Sequence, residues 1–236
     1  ILIEELDPRV RLNSGTPQPL SMVEGVDHGV DGVFLVGYHA RSGAQRAILD
    51  HTWSDERVAN VWLNGRLTGE SGLNGSVCGH FDVPVLMVSG DQTVCAEVKD
   101  WFGEVETAVV KTATTRFAAE CLPPDQTRVM IQDAAYRAVS RLQAGEAPKP
   151  LKLSSPITLV VEFNQSEMAD RTMTFPGARR LQDRRVEVAI RCRDLANALA
   201  DDERELAALN RRQGNLPESL AELRRRQGDL PAAREL

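Results

Sequence analysis

Aromatic residues are scarce in this chain, 5% of 236 positions, and the lysines and arginines gather in the tail instead of forming a stripe interleaved with aromatics. Nucleic acid is therefore excluded as a natural partner, since its recognition needs a cationic track with stacking platforms. The formal net charge of −6 and a pI near 5.4 point the same way. A run of about 18 apolar residues, the minimum for a membrane-spanning helix, is also missing, and the N-terminus lacks the basic-then-apolar pattern of an export signal. The expectation is a cytoplasmic chain with no membrane partner. The four cysteines, Cys78, Cys95, Cys121 and Cys192, lie far apart with no C-x-x-C pair, which excludes a disulfide framework and a thiolate zinc site and leaves reduced, buried thiols. What is present, 42% hydrophobic and 26% charged residues, describes one main domain with a sizeable core plus an appendage. The first residue is Ile and not Met, so the chain is expected to begin partway into a longer protein.

Apolar runs alternate with helical patterns, the signature of an α/β fold whose mostly parallel sheet is flanked by helices. Gly32 to Tyr38 reads as a strand covered on both faces, because its apolar run is nearly continuous. Val58 to Leu63 leads into Asn64-Gly65 and returns through Arg66 to Glu70, a hairpin signal. A helix from Ser71 to Cys78, a strand from Val83 to Ser89, a helix from Thr93 to Phe102, a strand from Val105 to Thr112 and a helix from Pro124 to Ala144 complete residues 1–146. Ala147-Pro148-Lys149-Pro150 reads as a linker. Beyond it, strands at Ile157–Phe163 and Arg185–Arg191 with helices at Gln165–Asp170 and Asp194–Ala200 make a small α/β unit over 151–200. Residues 201–236 read as a helical tail in which Arg211-Arg212-Gln213-Gly214-Asn215-Leu216-Pro217 recurs from Arg225. The spacing of that repeat falls far short of the roughly 34-residue period of tetratricopeptide arrays. A solvated, frayed tail is the alternative.

The chemistry concentrates between residues 20 and 95. His39 follows the first strand at its C-terminal end, where open α/β sheets bind their ligands. His51 comes next, and Glu70 follows the hairpin. Imidazole and carboxylate are the ligands of catalytic zinc, which takes about three from the protein and leaves one position for water. Each residue has a plainer reading: His39 as a strand-end cap, His51 as an exposed loop histidine, Glu70 as a solvated charge. His28 and His80 have no such context, and Asp82 and Asp91 read as turns or supporting carboxylates. Lys111 and Arg116 could hold a substrate carboxylate, or be solvated cations.

The ordered stretches Ser21-Met22-Val23-Glu24-Gly25, Gly37-Tyr38-His39-Ala40-Arg41, His51, Asn64-Gly65, Gly69-Glu70-Ser71-Gly72-Leu73-Asn74 and Asp82 to Asp91 resemble the DppA-type zinc D-aminopeptidase family. The likeness runs more thinly through Val110-Lys111-Thr112, Arg116 and Cys121-Leu122 into 150–200. It implies two zinc ions per complete site, with His39 a ligand of one, Glu70 a ligand of the other, and His51 the catalytic base or nucleophile. It further implies release of N-terminal D-amino acids from short peptides by a homo-oligomer. The chain departs from the family at its front, where an Asp-x-Glu motif and a further histidine are expected and absent, so the site reads as incomplete and the chain as the larger, C-terminal part of such an enzyme, with the activity of this chain alone left open. A rival of another class is a non-catalytic oligomerising or interaction protein that keeps the fold without the metals. A nucleoside phosphorylase-like binder rests on the α/β layout alone.

Overall fold

The computed structural model describes residues 2–15 and 18–190. In chain order its elements are β1 (Val33–Tyr38), β2 (Val58–Leu63), β3 (Arg66–Thr68), α1 (Glu70–His80), β4 (Val85–Asp91), α2 (Gln92–Phe102), β5 (Glu106–Ala113), β6 (Ala119–Cys121), α3 (Pro124–Gln143), β7 (Ile157–Phe163), α4 (Ser166–Thr172), β8 (Ala178–Gln182) and β9 (Arg185–Ile190). Short 3-10 turns lie at Ile3–Glu5, Ser21–Val23 and Val26–His28. The helix expected at 194–200, the 201–236 tail and its repeat fall outside the described residues.

Two sheets carry the fold. The first has the order β1-β4-β5-β6, with β1, β4 and β5 parallel and β6 antiparallel to β5. All seven residues of β4 are buried, as a central strand covered on both faces requires. On one side Leu73 and Val77 of α1 and Val94 and Val98 of α2 share a core cluster with Val85 and Val88. On the other, Ala134 and Ala138 of α3 lie over Leu86, Met87 and Ala108. The α/β class with a mostly parallel, helix-flanked sheet is as expected.

β1 departs from its sequence reading. Only Leu35 in it is buried, while Phe34 and Val36 are 38% and 58% exposed. The reason is position: β1 is the edge strand, and α3 packs on β4 and β5 instead of on it. An apolar run can satisfy a two-faced strand, but it cannot say whether the second cover is there.

The second sheet, order β3-β2-β7-β9-β8, is wholly antiparallel. Asn64 and Gly65 take positive φ of 49° and 76°, the two-residue turn foreseen for the β2–β3 hairpin. That turn also grips β7, where Thr158 N–H donates to Asn64 Oδ1 and Asn64 N–H donates to the Thr158 carbonyl, both at 2.8 Å. The strand expected first in the 151–200 unit thus joins a sheet that begins in the preceding segment. β7 pairs with β2 from Phe163↔Val58 to Leu159↔Leu63, because β3 occupies only one edge of β2 and leaves the other to be paired. β6 and β8, at three and five residues, were not foreseen, being too short and polar to show a strand period.

Candidate metal centre

Three side chains converge beyond the carboxyl end of β1. His39 leaves that strand directly, Glu70 is the first residue of α1, and His51 sits on the loop from Ala40 to Arg57. Two glycines let the exit of β1 approach its neighbours, Gly69 at the start of α1 and Gly90 on β4. A Cβ on Gly69 would lie 2.9 Å from Arg41 Cα, and one on Gly90 would collide with the Tyr38 carbonyl. Glycine is required at both places by close backbone approach.

His39 Nε2 lies 3.3 Å from Glu70 Oε2, and His51 Nε2 lies 3.7 Å from Glu70 Oε1. The two imidazoles stack, centroids 3.8 Å apart and planes 16° from parallel. Each ring's other nitrogen faces a backbone carbonyl: His39 Nδ1 is 3.1 Å from Ala40 O, and His51 Nδ1 is 2.7 Å from Leu49 O. A carbonyl only accepts, so each ring donates its Nδ1–H and presents Nε2 to the carboxylate. Fixing the tautomer through the far nitrogen is how proteins prepare imidazole ligands. Glu70, 7% exposed, is further oriented by Trp53 N–H, which donates to Oε1 at 2.8 Å. Its place in the first turn of α1 suits a negative charge facing the helix dipole.

The protonation states follow from these contacts. Burial disfavours the His39 imidazolium, but the hydrogen bond to Glu70 and the carboxylate charge outweigh it and hold His39 above its ordinary value. Burial likewise opposes ionisation of Glu70, and His39 overcomes it, so the carboxyl is held below its usual range. Each partner thus favours the charged form of the other, and the ionised carboxylate beside Nε2 is where a cation would be drawn. The donor atoms of His39, His51 and Glu70 all lie within 4.8 Å of one another. Two imidazoles and a carboxylate with a partly open side suit one zinc ion with a free fourth position. Among the described residues this is the one such cluster, and it supplies donors for a single ion.

The loop carrying His51 is held by the β4–α2 junction. Asp91, fully buried, caps α2 by accepting from Thr93 N–H and Val94 N–H at 2.9 Å, and its second oxygen accepts from Ile48 N–H at 2.8 Å. Gln92 Nε2 and Thr93 Oγ1 both donate to the Arg46 carbonyl. Along this loop Arg46, Leu49 and Trp53 hold positive φ of 52°, 51° and 59°, a costly conformation for side-chain-bearing residues. Arg116 is found bracing the same loop: it pairs with Asp50 and Asp55 at 3.2 Å and donates to the Asp50 carbonyl. Lys111 lies on β5 in register with Asp91 and Cys121. His28 pairs with Asp27 at 3.7 Å and His80 stacks edge-on with Phe81, both away from the trio.

Glu97 was not foreseen from the sequence. It accepts from Arg41 N–H and from Ser71 Oγ–H, each at 3.0 Å, and burial holds it above the ordinary carboxylate range despite those bonds. A glutamate inside an amphipathic helix carries no mark of such contacts. Asn74, one turn beyond Glu70 on α1, donates to Tyr38 Oη at 2.8 Å, a contact between helix and strand that no local spacing announces.

The chain resembles known proteins in sequence and in fold. A family model for D-aminopeptidases matches residues 1–200. The D-aminopeptidase of Bacillus subtilis (strain 168) is 35% identical over 178 residues, 75% of this chain and 63% of that protein, so the chain spans less than two thirds of that relative's length. The solved structure of the Zn-dependent D-aminopeptidase DppA from Bacillus subtilis, a self-compartmentalizing protease, superposes with a TM-score of 0.79 at 32% identity, covering 88% of this chain and 74% of that one.

Proposed function

The chain belongs to the D-aminopeptidase family, and on that footing we propose that it acts as a zinc-dependent aminopeptidase releasing N-terminal D-residues from short peptides in the cytoplasm. The observation that carries this reading is the His39–Glu70 pair with His51 stacked on it. His39 Nε2 and Glu70 would hold the ion, which when bound would polarise the scissile carbonyl and acidify the attacking water. His51 Nε2, already turned toward the pair, would take the proton of that water and return it to the departing amine as the C–N bond breaks. Trp53 N–H and the two backbone carbonyls keep these groups aimed while this happens. In the two-ion reading, with His39 on one ion and Glu70 on the other, the second ion takes further donors from outside the trio.

One geometric fact favours a second role for His51. Its Nε2 lies in the same 4.8 Å cluster as the other donors, so it can serve as a third ligand. Zinc titration against a chromophoric chelator, paired with hydrolysis of D-Ala peptides, separates the roles. As a base, His51→Ala abolishes turnover and leaves zinc affinity nearly intact; as a ligand, it lowers both. His39→Ala and Glu70→Ala should each abolish zinc binding. Absence of zinc binding and of hydrolysis in the unaltered chain sinks the proposal in favour of a non-catalytic interaction protein. The self-compartmentalizing neighbour supports a homo-oligomer, which light scattering on the purified chain would read.

A further inference from the structure

Glu97 makes two hydrogen bonds, and each goes to a segment that carries one of the metal-site residues. Its Oε2 accepts from the backbone N–H of Arg41, two positions beyond His39. Its Oε1 accepts from the hydroxyl of Ser71, one position beyond Glu70. Neither His39 nor Glu70 is its hydrogen-bond partner. A single carboxylate on α2 thus ties the exit of β1 to the first turn of α1, at the point where Gly69 lets the two backbones meet.

The arrangement is an expensive way to occupy a helix position. A half-buried carboxylate is best satisfied by a guanidinium fork, yet the Arg41 side chain on the same segment turns away to the Ser42 carbonyl at 2.9 Å. Glu97 instead accepts from two neutral donors through two different oxygens, whereas a glutamine would keep one acceptor oxygen and, in the same pose, would turn Ser71 Oγ from donor into acceptor. What the carboxylate uniquely provides is two acceptors a fixed distance apart, one for each ligand-bearing segment. Its negative charge also adds to the field at His39, on the side from which a cation would be held.

We propose that Glu97 is a positioning residue that sets the separation and orientation of His39 relative to Glu70, and through them the metal affinity of the pair. The metal part of this statement rests on the zinc reading above. Groups that orient ligands without touching the ion are worth roughly 10- to 100-fold in affinity.

The test uses the whole chain and three variants, Glu97→Gln, Glu97→Ala and Ser71→Ala. Ser71→Ala removes one arm of the clamp without altering any charge, so it separates geometry from electrostatics. Two readouts are taken: zinc affinity by chelator competition, and the histidine ring nitrogen spectrum of the metal-free protein in EDTA. We expect zinc to bind about tenfold or more weakly in the Glu97 variants and several-fold more weakly in Ser71→Ala. The His39 ring signals should move in all three, while those of His28 and His80 stay in place. A merely structural glutamate would lower the melting temperature in EDTA and leave both readouts unchanged, and zinc affinity within twofold of the unaltered chain with unmoved His39 signals overturns the proposal. If the unaltered chain binds no zinc but the His39 signals still shift, the zinc reading fails and the clamp stands.

Discussion

His39 sets the pH behaviour of the site, and the sign can be worked out from its partner. Its folded pKa is raised above the ordinary 6.5, so the stability it contributes is complete below that value and is lost as pH rises through the folded value. Glu70 is depressed below 4.5, so its contribution is present above 4.5 and is lost as pH falls through its folded value. The metal-free pair is therefore strongest in the weakly acidic window between these ordinary values. Zinc held as proposed would reverse the trend, because the ion would have to displace the His39 proton. Melting curves at pH 5.5 and pH 8 should show zinc stabilising the chain far more at the higher pH, and Glu70→Gln should abolish the difference. The cysteines give an independent check at the same scale. Burial pushes Cys78 up to about 12 and Cys95 up to about 11, whereas Cys121 is exposed. Alkylation of the folded chain at pH 8 should label Cys121 and spare Cys78 and Cys95, as read by peptide mass spectrometry; rapid modification of Cys78 would contradict the buried packing of α1.

At the scale of elements, the loop from Ala40 to Arg57 is the piece on which the site depends, and Asp91 is its anchor. Asp91→Ala removes the α2 cap and leaves Ile48 N–H without its acceptor, so it should cost about 2 kcal/mol, measurable as a lower urea midpoint. Zinc affinity should fall with it, because His51 and Trp53 lie on the freed loop. An unchanged affinity would mean that the loop holds its shape without the anchor. The sequence made the elements around this loop legible unevenly, for physical reasons. The uninterrupted apolar run of β4 and the long amphipathic period of α3 leave few alternatives, and the ordered motif pointed to His39, His51 and Glu70 together. Residues whose role depends on which helix packs beside which strand left no trace. Glu97 became visible only once α2 lay against α1. Arg116, read as a possible substrate cation, is seen in the fold to be engaged with Asp50 and Asp55, since a charge in a sequence does not name its partner.

At the scale of the molecule, strand hydrogen bonds join the chain on either side of Pro148 and Pro150. β7 completes the sheet begun by β2, and Ile157 and Leu159 are buried in the same core cluster as Val61, Leu63, Leu73 and Val77. Buried aliphatics that share one cluster lose their partners together, so the two sheets should unfold in a single cooperative step. Trp53 on the loop, Trp101 on α2 and Trp62 within β2 report on this by fluorescence, and far-UV circular dichroism reports on both sheets. The two signals should fall on one urea curve. A fragment ending at residue 146 would lose the strand that covers β2 and expose Val61 and Leu63, both fully buried in the whole chain. At roughly 25 cal/mol per Å² of apolar surface returned to water, that loss is comparable to the net stability of a small domain. The fragment should therefore aggregate or fail to melt cooperatively, and zinc should not rescue it, because the missing contacts lie in the core and away from the metal-site trio. A soluble, cooperatively folding fragment would show that the first sheet carries the site alone and that β7 to β9 are an addition to it.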